Sequence, residues 1–148
     1  MIKEITQEKK QVLELLLLAD PSQEMVERYL EKGILLVYEE RGEKIGEIVL
    51  YPVAPGEWEI KNIAVAPKAQ KRGIGRLLLQ AAQSRCLPGD RLIVGTADIS
   101  RGAVHFYESC GFVRYDVIKN FFVDNYPQPV IDEGEVCIDM VLLEKRIK

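Results

Sequence analysis

Between Gln7 and Ala19 the leucines at 13, 16 and 17 share one helical face, and the spacing predicts an amphipathic helix. Asp20-Pro21-Ser22-Gln23 reads as the start of a second helix. Asp20 is the expected N-cap, Pro21 suits the first helical position and Gln23 the capping-box position. That helix is expected to end near Gly33. Ile34 to Glu39 and Lys44 to Val53 read as the strands of a hairpin about the turn Arg41-Gly42-Glu43, broken by Pro52, Pro55 and Gly56. Glu57 to Ala66 is a third strand, stopped by Pro67. Ile74, Leu77, Leu78 and Ala81 then fall at helical spacing, which predicts a helix over 75–86. Arg91 to Ala97 carries the unbroken apolar run Leu92-Ile93-Val94 of a strand covered on both faces. Ser100 is placed to cap a helix reaching Cys110, with Gly111 at its C′ position. Phe112–Lys119 and Glu135–Leu143 are the last expected strands, joined by residues 120–134.

The order α-α-β-β-β-α-β-α-β-β has a β-α-β unit at its middle, so one pair of strands runs parallel between antiparallel hairpins. This predicts a mixed α/β sheet with helices on both faces. No repeat and no Gly/Ser/Pro-rich linker divides the chain, so residues 1–148 are read as one domain.

Composition narrows the class. At 47% hydrophobic and 29% charged, the chain has enough apolar residues for a core and resembles neither a disordered tail nor a disulfide scaffold. Leu15–Ala19 is too short to span a bilayer, and the N-terminus lacks a secretory pattern. Cys86, Cys110 and Cys137 lie far apart without metal-ligand spacing, and His105 is the one histidine. These features read as a reduced cytoplasmic protein with no metal site.

The net charge of −3 conceals an asymmetry. Residues 60–89 hold Lys61, Lys68, Lys71, Arg72, Arg76 and Arg85 and no acid, while the other residues carry a balance of −9. A confined basic island in an acidic chain points to a compact anion rather than to nucleic acid or a membrane. Within the island, Gln70-Lys71-Arg72-Gly73-Ile74-Gly75 joins an expected strand to an expected helix. Helix N-termini present unpaired N–H groups and partial positive charge, and glycines let the backbone curl around phosphate oxygens. Neither the Walker pattern nor the dinucleotide fingerprint is present, which leaves a phosphate-bearing ligand of another class.

Three stretches in order resemble the GNAT superfamily of acetyl-coenzyme A-dependent N-acetyltransferases. Glu59-Ile60-Lys61-Asn62-Ile63-Ala64-Val65-Ala66-Pro67 is similar to its central strand, and Gln70-x-x-Gly73-x-Gly75 to its pyrophosphate loop. Ala103 to Phe112 is similar to its A-x-x-F-Y-x-x-x-G-F segment. The resemblance implies a GNAT-like mixed sheet whose central parallel strands splay at a bulge, with acetyl-CoA as cosubstrate. It further implies that the backbone N–H groups of Gln70, Lys71, Arg72, Gly73, Ile74 and Gly75 hold the pyrophosphate, with Arg76 beside them. The pantetheine arm is expected along Ile63, Ala64 and Val65, and the Ile63 N–H is expected to polarise the thioester. Ser100 stands where members often carry Asn against the pantetheine.

Direct attack needs a neutral amine, and a lysine-like amine of pKa ~10.4 is protonated in all but roughly one molecule in a thousand at pH 7. Glu59 occupies the family position of a strand base, acting directly or through water, and Glu57 shares its face. Tyr107 is the implied acid for the leaving thiolate. Cys110 reads as a small buried thiol, and Trp58 and His105 read as packing or surface residues. Residues 120–134 bring aromatics with Asp124, Asp132 and Glu133, which suit a small cationic acceptor such as a polyamine or aminoglycoside. A dimer-contact or surface segment is the alternative reading of the same stretch. A peptide N-acetyltransferase and a non-catalytic acetyl-CoA sensor are the alternative functions.

Overall fold

The computed structural model describes all 148 residues. In chain order the elements are β1 (Ile2–Ile5), α1 (Leu13–Ala19), α2 (Gln23–Tyr29), β2 (Ile34–Glu40), β3 (Glu43–Ala54) and β4 (Glu57–Val65). There follow α3 (Ile74–Gln83), β5 (Arg91–Ala97), α4 (Arg101–Ser109), β6 (Val113–Ile118), α5 (Phe121–Asn125), β7 (Ile131–Asp132), β8 (Glu135–Val136) and β9 (Met140–Arg146). Seven strands form one sheet in the order β1-β2-β3-β4-β5-β9-β6, with β7 and β8 as a separate small hairpin. Only β4 and β5 run parallel.

Each face of the sheet has its own core. Leu78, Leu79 and Ala82 of α3 and Val104 and Tyr107 of α4 pack with Ile48, Leu50, Ile60, Leu92 and Val94. On the opposite face Leu16 of α1 and Val26 of α2 cover Leu35, Val37 and Val49. Each fully buried aliphatic side chain contributes about 1.5–3 kcal/mol. No helix is long and apolar enough to cross a membrane.

Four expectations are corrected. β1 was absent from the sequence reading; its four residues add an edge strand to β2. The first helix begins at Leu13, because residues Lys9–Val12 form a 3₁₀ turn. Lys9 is consumed elsewhere: its Nζ donates to the carbonyls of Leu30, Glu31 and Gly33 just beyond the end of α2. The second helix runs only from Gln23 to Tyr29, and its N-cap is Ser22, whose Oγ accepts from Met25 N at 3.2 Å. Finally, the last sheet strand starts at Met140. Glu135 and Val136 instead pair with Ile131 and Asp132 about a turn in which Glu133 and Gly134 take positive φ.

The feature that positions the site is a bulge in β4. Val49 of β3 pairs with Asn62 and Leu50 with Ile60, so Lys61 has no partner. Parallel pairing with β5 ends at the same point, with Ile60 opposite Val94. Beyond it β4 stays bound to β3 but separates from β5. Ala66 N donates to Ile45 O of β3. Alternation along the strand therefore turns the N–H groups of Ile63 and Val65 the other way, into the opening.

Candidate active site

The opening leads into a cavity of 660 Å³ between the free edge of β4, the 70–73 loop and the helices α3 and α4. Gln70 fixes the loop to the strand, its Nε2 donating to Val65 O at 3.0 Å. Gly73 is the N-cap of α3 at φ 81°, a left-handed conformation that glycine adopts without strain. The first turn of α3 has no acid, so its unpaired N–H groups and dipole face the cavity uncompensated. A Cβ on Gly75 would come within 3.7 Å of Phe106 Cζ, and a longer side chain there would fill the space between α3 and α4. The cavity is thus suited to a pyrophosphate at the helix end and an extended arm along Ile63 and Val65.

The basic island divides on inspection. Lys71 and Arg76 line the cavity, and Arg76 Nη2 donates to Ser109 Oγ at 3.1 Å. Arg72 turns away: its two terminal nitrogens donate to both carboxylate oxygens of Glu40, at 3.2 and 2.6 Å. That pairing takes the Arg72 side chain away from the cavity and leaves its backbone N–H as its expected contribution to the loop. Lys68 is likewise paired with Glu43, Lys61 with Glu59 and Arg85 with Glu4.

A second cavity, of 480 Å³, lies across the same opening. Its walls come from the turn between α1 and α2, the start of α4 and the segment 120–134. Asp20, Asp132 and Glu133 line it, against the one cation Lys61. Asp20 is nine-tenths buried and accepts three hydrogen bonds. Tyr126 Oη donates to its Oδ1 at 2.9 Å, Tyr29 Oη to its Oδ2 at 3.0 Å, and Ser22 N to Oδ1 at 3.3 Å. Burial, with the charge of Asp20 adding to it, holds both phenols above their usual range, so they remain donors. Asn62, next to the Lys61 bulge, donates through Nδ2 to Leu16 O at 2.9 Å and to Tyr29 Oη at 3.0 Å.

Ile63, Ala103 and Tyr107 line both cavities. Tyr107 is buried, with its ring edge-on to Phe106 at 5.2 Å and to Phe112 at 5.6 Å. Burial raises its phenol well above the ordinary value, with smaller contributions from Glu47 and Cys110, so it is protonated at neutral pH. A backbone donor and a protonated phenol therefore meet where the two cavities join.

Other expected site residues lie elsewhere. Glu59 lines neither cavity; its carboxylate pairs with Lys61 Nζ at 3.0 Å. Glu57 pairs with Arg91 at 3.4 Å. Ser100 occupies the N-cap position of α4 but makes no capping bond, and its Oγ donates to Asp132. It faces the 480 Å³ cavity and not the 660 Å³ one, which corrects its expected place beside pantetheine. Asp124 lies outside both cavities, Trp58 Nε1 donates to Asp90, and His105 is exposed. All three cysteines are free.

Sequence reasoning missed Asp20 and Asn62 as cavity residues and counted Tyr126 only among the aromatics of residues 120–134. The available signal was a polar Asn62, next to Lys61, between the apolar Ile60 and the run Ile63-Ala64-Val65. Glu47 gives the same signal within β3: it is fully buried, and neither of its carboxylate oxygens has a partner.

Comparison with known proteins agrees with this geometry. The acetyltransferase (GNAT) domain profile matches residues 31–114. An uncharacterized N-acetyltransferase of Bacillus subtilis, YvbK, is 36% identical over 135 residues, covering 90% of this chain and 87% of that protein. A GNAT family acetyltransferase from Elizabethkingia anophelis, crystallised with acetyl-CoA bound, is 41% identical with a TM-score of 0.90 over 99% of this chain and 97% of its own. An IAA acetyltransferase from Bacillus cereus is 34% identical with a TM-score of 0.87, over 99% and 98% of the two chains. With the splayed strands, the glycine loop and the profile match in agreement, this chain belongs to the GNAT family of acetyltransferases, with acetyl-CoA as its cosubstrate.

Proposed function

We propose that this protein transfers the acetyl group of acetyl-CoA to a primary amine of a small cationic molecule, by direct attack. The observation that carries this reading is the second cavity, which meets the cofactor-side cavity at Ile63 and Tyr107 and presents Asp20, Asp132 and Glu133 against Lys61. Carboxylates in a low-dielectric cleft raise the local concentration of cations.

Each step has a candidate group. The N–H groups of the α3 N-terminus, with Lys71 and Arg76, hold the pyrophosphate, and the strand edge at Ile63–Val65 holds the pantetheine amides. The thioester oxygen accepts from Ile63 N–H, which strengthens as the tetrahedral oxyanion forms. The neutral amine attacks the carbonyl carbon and then loses a proton. Water carries that proton past Lys61 to Glu59, because Glu59 has no direct access to the cavity. As the C–S bond breaks, Tyr107 gives its proton to the thiolate and regains one from solvent.

The test is free-thiol release at fixed acetyl-CoA with a panel of polyamines, aminoglycosides, simple monoamines and peptides with free N-termini. Acceleration by small cationic amines is expected. Acceleration by peptides alone would transfer the protein to the peptide class, and no acceleration by any amine would support an acetyl-CoA sensor instead.

A further inference from the structure

The peptide group that would polarise the thioester sits where the sheet gives β4 the least support. Lys61 has no partner on β3, pairing to β5 ends at Ile60, and from Asn62 onward β4 is held along one edge only. Ile63 N–H lies in the planar peptide unit that begins at Asn62, so the direction of that N–H follows the placement of Asn62. On the side toward α1 and α2, Asn62 is 4% exposed, and its Nδ2 donates to Leu16 O at 2.9 Å and to Tyr29 Oη at 3.0 Å. Neither partner depends on Asn62. Leu16 O also accepts from Asp20 N at 3.1 Å, and Tyr29 Oη donates to Asp20 Oδ2 at 3.0 Å. Asn62 Oδ1 is enclosed and has no hydrogen-bond partner. A buried carbonyl oxygen left without a donor costs stability. The amide is thus poorly placed to stabilise the fold, and well placed to fix the strand beside the bulge at two points.

We propose that Asn62 is a positioning residue for the thioester: its side chain, tied to α1 through Leu16 O and to α2 through Tyr29 Oη, aims Ile63 N–H at the carbonyl oxygen. Asn62 itself touches no reacting atom. Its two side-chain bonds take the place of the pairing that β5 no longer supplies. The inference rests on the Ile63 donor of the proposed reaction and is independent of the acceptor's class. Val65 and the start of α3, which hold the pantetheine and the pyrophosphate in that reaction, line the 660 Å³ cavity, and Asn62 does not. Loss of the anchor should therefore spare cofactor affinity.

The experiment uses Asn62→Leu, which keeps a similar volume, removes the unpaired oxygen and leaves Leu16 O and Tyr29 Oη one partner each. The first readout is the carbonyl stretch of bound acetyl-CoA, labelled with carbon-13 at the thioester carbonyl, by infrared difference spectroscopy. It is taken without acceptor, so a contact of Asn62 with the acceptor leaves it unmoved. In the wild type the hydrogen bond from Ile63 should lower the frequency below that of free acetyl-CoA. In Asn62→Leu the frequency should return most of the way to the free value. The second readout is thiol release with the best acceptor of the amine panel. There kcat should fall about ten- to a hundredfold, because misaiming an oxyanion donor forfeits part of what deleting it costs. The KM for acetyl-CoA should stay nearly constant, since the lost contact belongs to the transition state, and the melting temperature should not fall. An unmoved frequency or an unchanged kcat in the folded variant would overturn the inference. So would a rise in that KM or a fall in melting temperature large enough to account for the lost activity. If Asn62→Leu does not fold, Tyr29→Phe, which removes one of the two anchors, decides by the same readouts with a smaller effect. No lowered frequency in the wild type would remove the Ile63 donor and this inference with it, while leaving acetyl transfer to an amine intact.

Discussion

Tyr107→Phe tests the junction of the two cavities with the removal of one atom. The hydroxyl makes no hydrogen bond to any protein group, and the ring contacts with Phe106 and Phe112 need only the ring. Fold stability should therefore change by less than about 1 kcal/mol. The catalytic cost is of a different size. A positioned general acid is worth about 10²–10⁴ in rate, which is about 2.7–5.4 kcal/mol of barrier at 1.36 kcal/mol per factor of ten. The assay is steady-state thiol release with the best acceptor from the amine panel, with kcat and both KM values measured, beside a thermal melt. The acid role predicts a kcat lower by at least about a hundredfold, with the KM for acetyl-CoA and the melting temperature nearly unchanged. A kcat within threefold of wild type would refute the assignment. A large loss accompanied by a collapse in melting temperature would show that the residue acts by packing.

Three further perturbations separate parts of the site. Gly73→Ala meets no atom within 4 Å but must take φ 81°, so it should cost about 1–2 kcal/mol by strain alone and raise the KM for acetyl-CoA; unchanged denaturation and KM would contradict this. Lys71→Gln should weaken acetyl-CoA binding several-fold more than Arg72→Gln, because Arg72 is already bound by Glu40; equal effects in titration calorimetry would remove the distinction. Glu47 gives a pH prediction. Its unfolded carboxyl titrates near 4.5, and complete burial raises the folded value well above that. The stability it contributes is thus full below pH 4.5 and declines as pH rises toward the folded value. Glu47→Gln should remove that decline, so wild-type urea midpoints should fall relative to the variant between about pH 5 and 8; parallel profiles would refute it.

Much of the fold was legible because its signals are local. The apolar runs in Ile34–Glu40 and Arg91–Ala97, the 3.6-residue spacing after Gly73 and the glycine at 111 each act within one element. The glycine loop was legible for the same reason. Asp20 misled because the residue type that caps a helix also makes a buried anion site, and only the distant Tyr126 decides between them. The ion pair of the Arg72 side chain was not legible because its partner Glu40 arrives from β2, thirty-two residues earlier. Ser100 was drawn from its cap by Asp132, again thirty-two residues away. The errors share a cause: each concerns a side chain whose state is set by a contact from another element, which periodicity does not encode.

The Lys61 bulge links the legible part to the part that was not. Before it, Trp58 and Ile60 face the α3 core; after it, Ile63 and Val65 do. A strand without the extra residue would keep Asn62 on the face of Ile60, inside an apolar core, and would turn Ile63 toward α1 and α2. The inserted residue instead sends Asn62 to Leu16 and Tyr29, and so into the polar chain that ends at Asp20. The same irregularity coincides with the end of pairing to β5, which leaves the Ile63 and Val65 N–H groups free for a ligand. A single extra residue in β4 therefore builds the free strand edge of one cavity and the polar wall of the other together. Because both depend on it, a change that regularises the strand would alter the two cavities at once, whereas changes at Lys71 or Asp20 act on one side only.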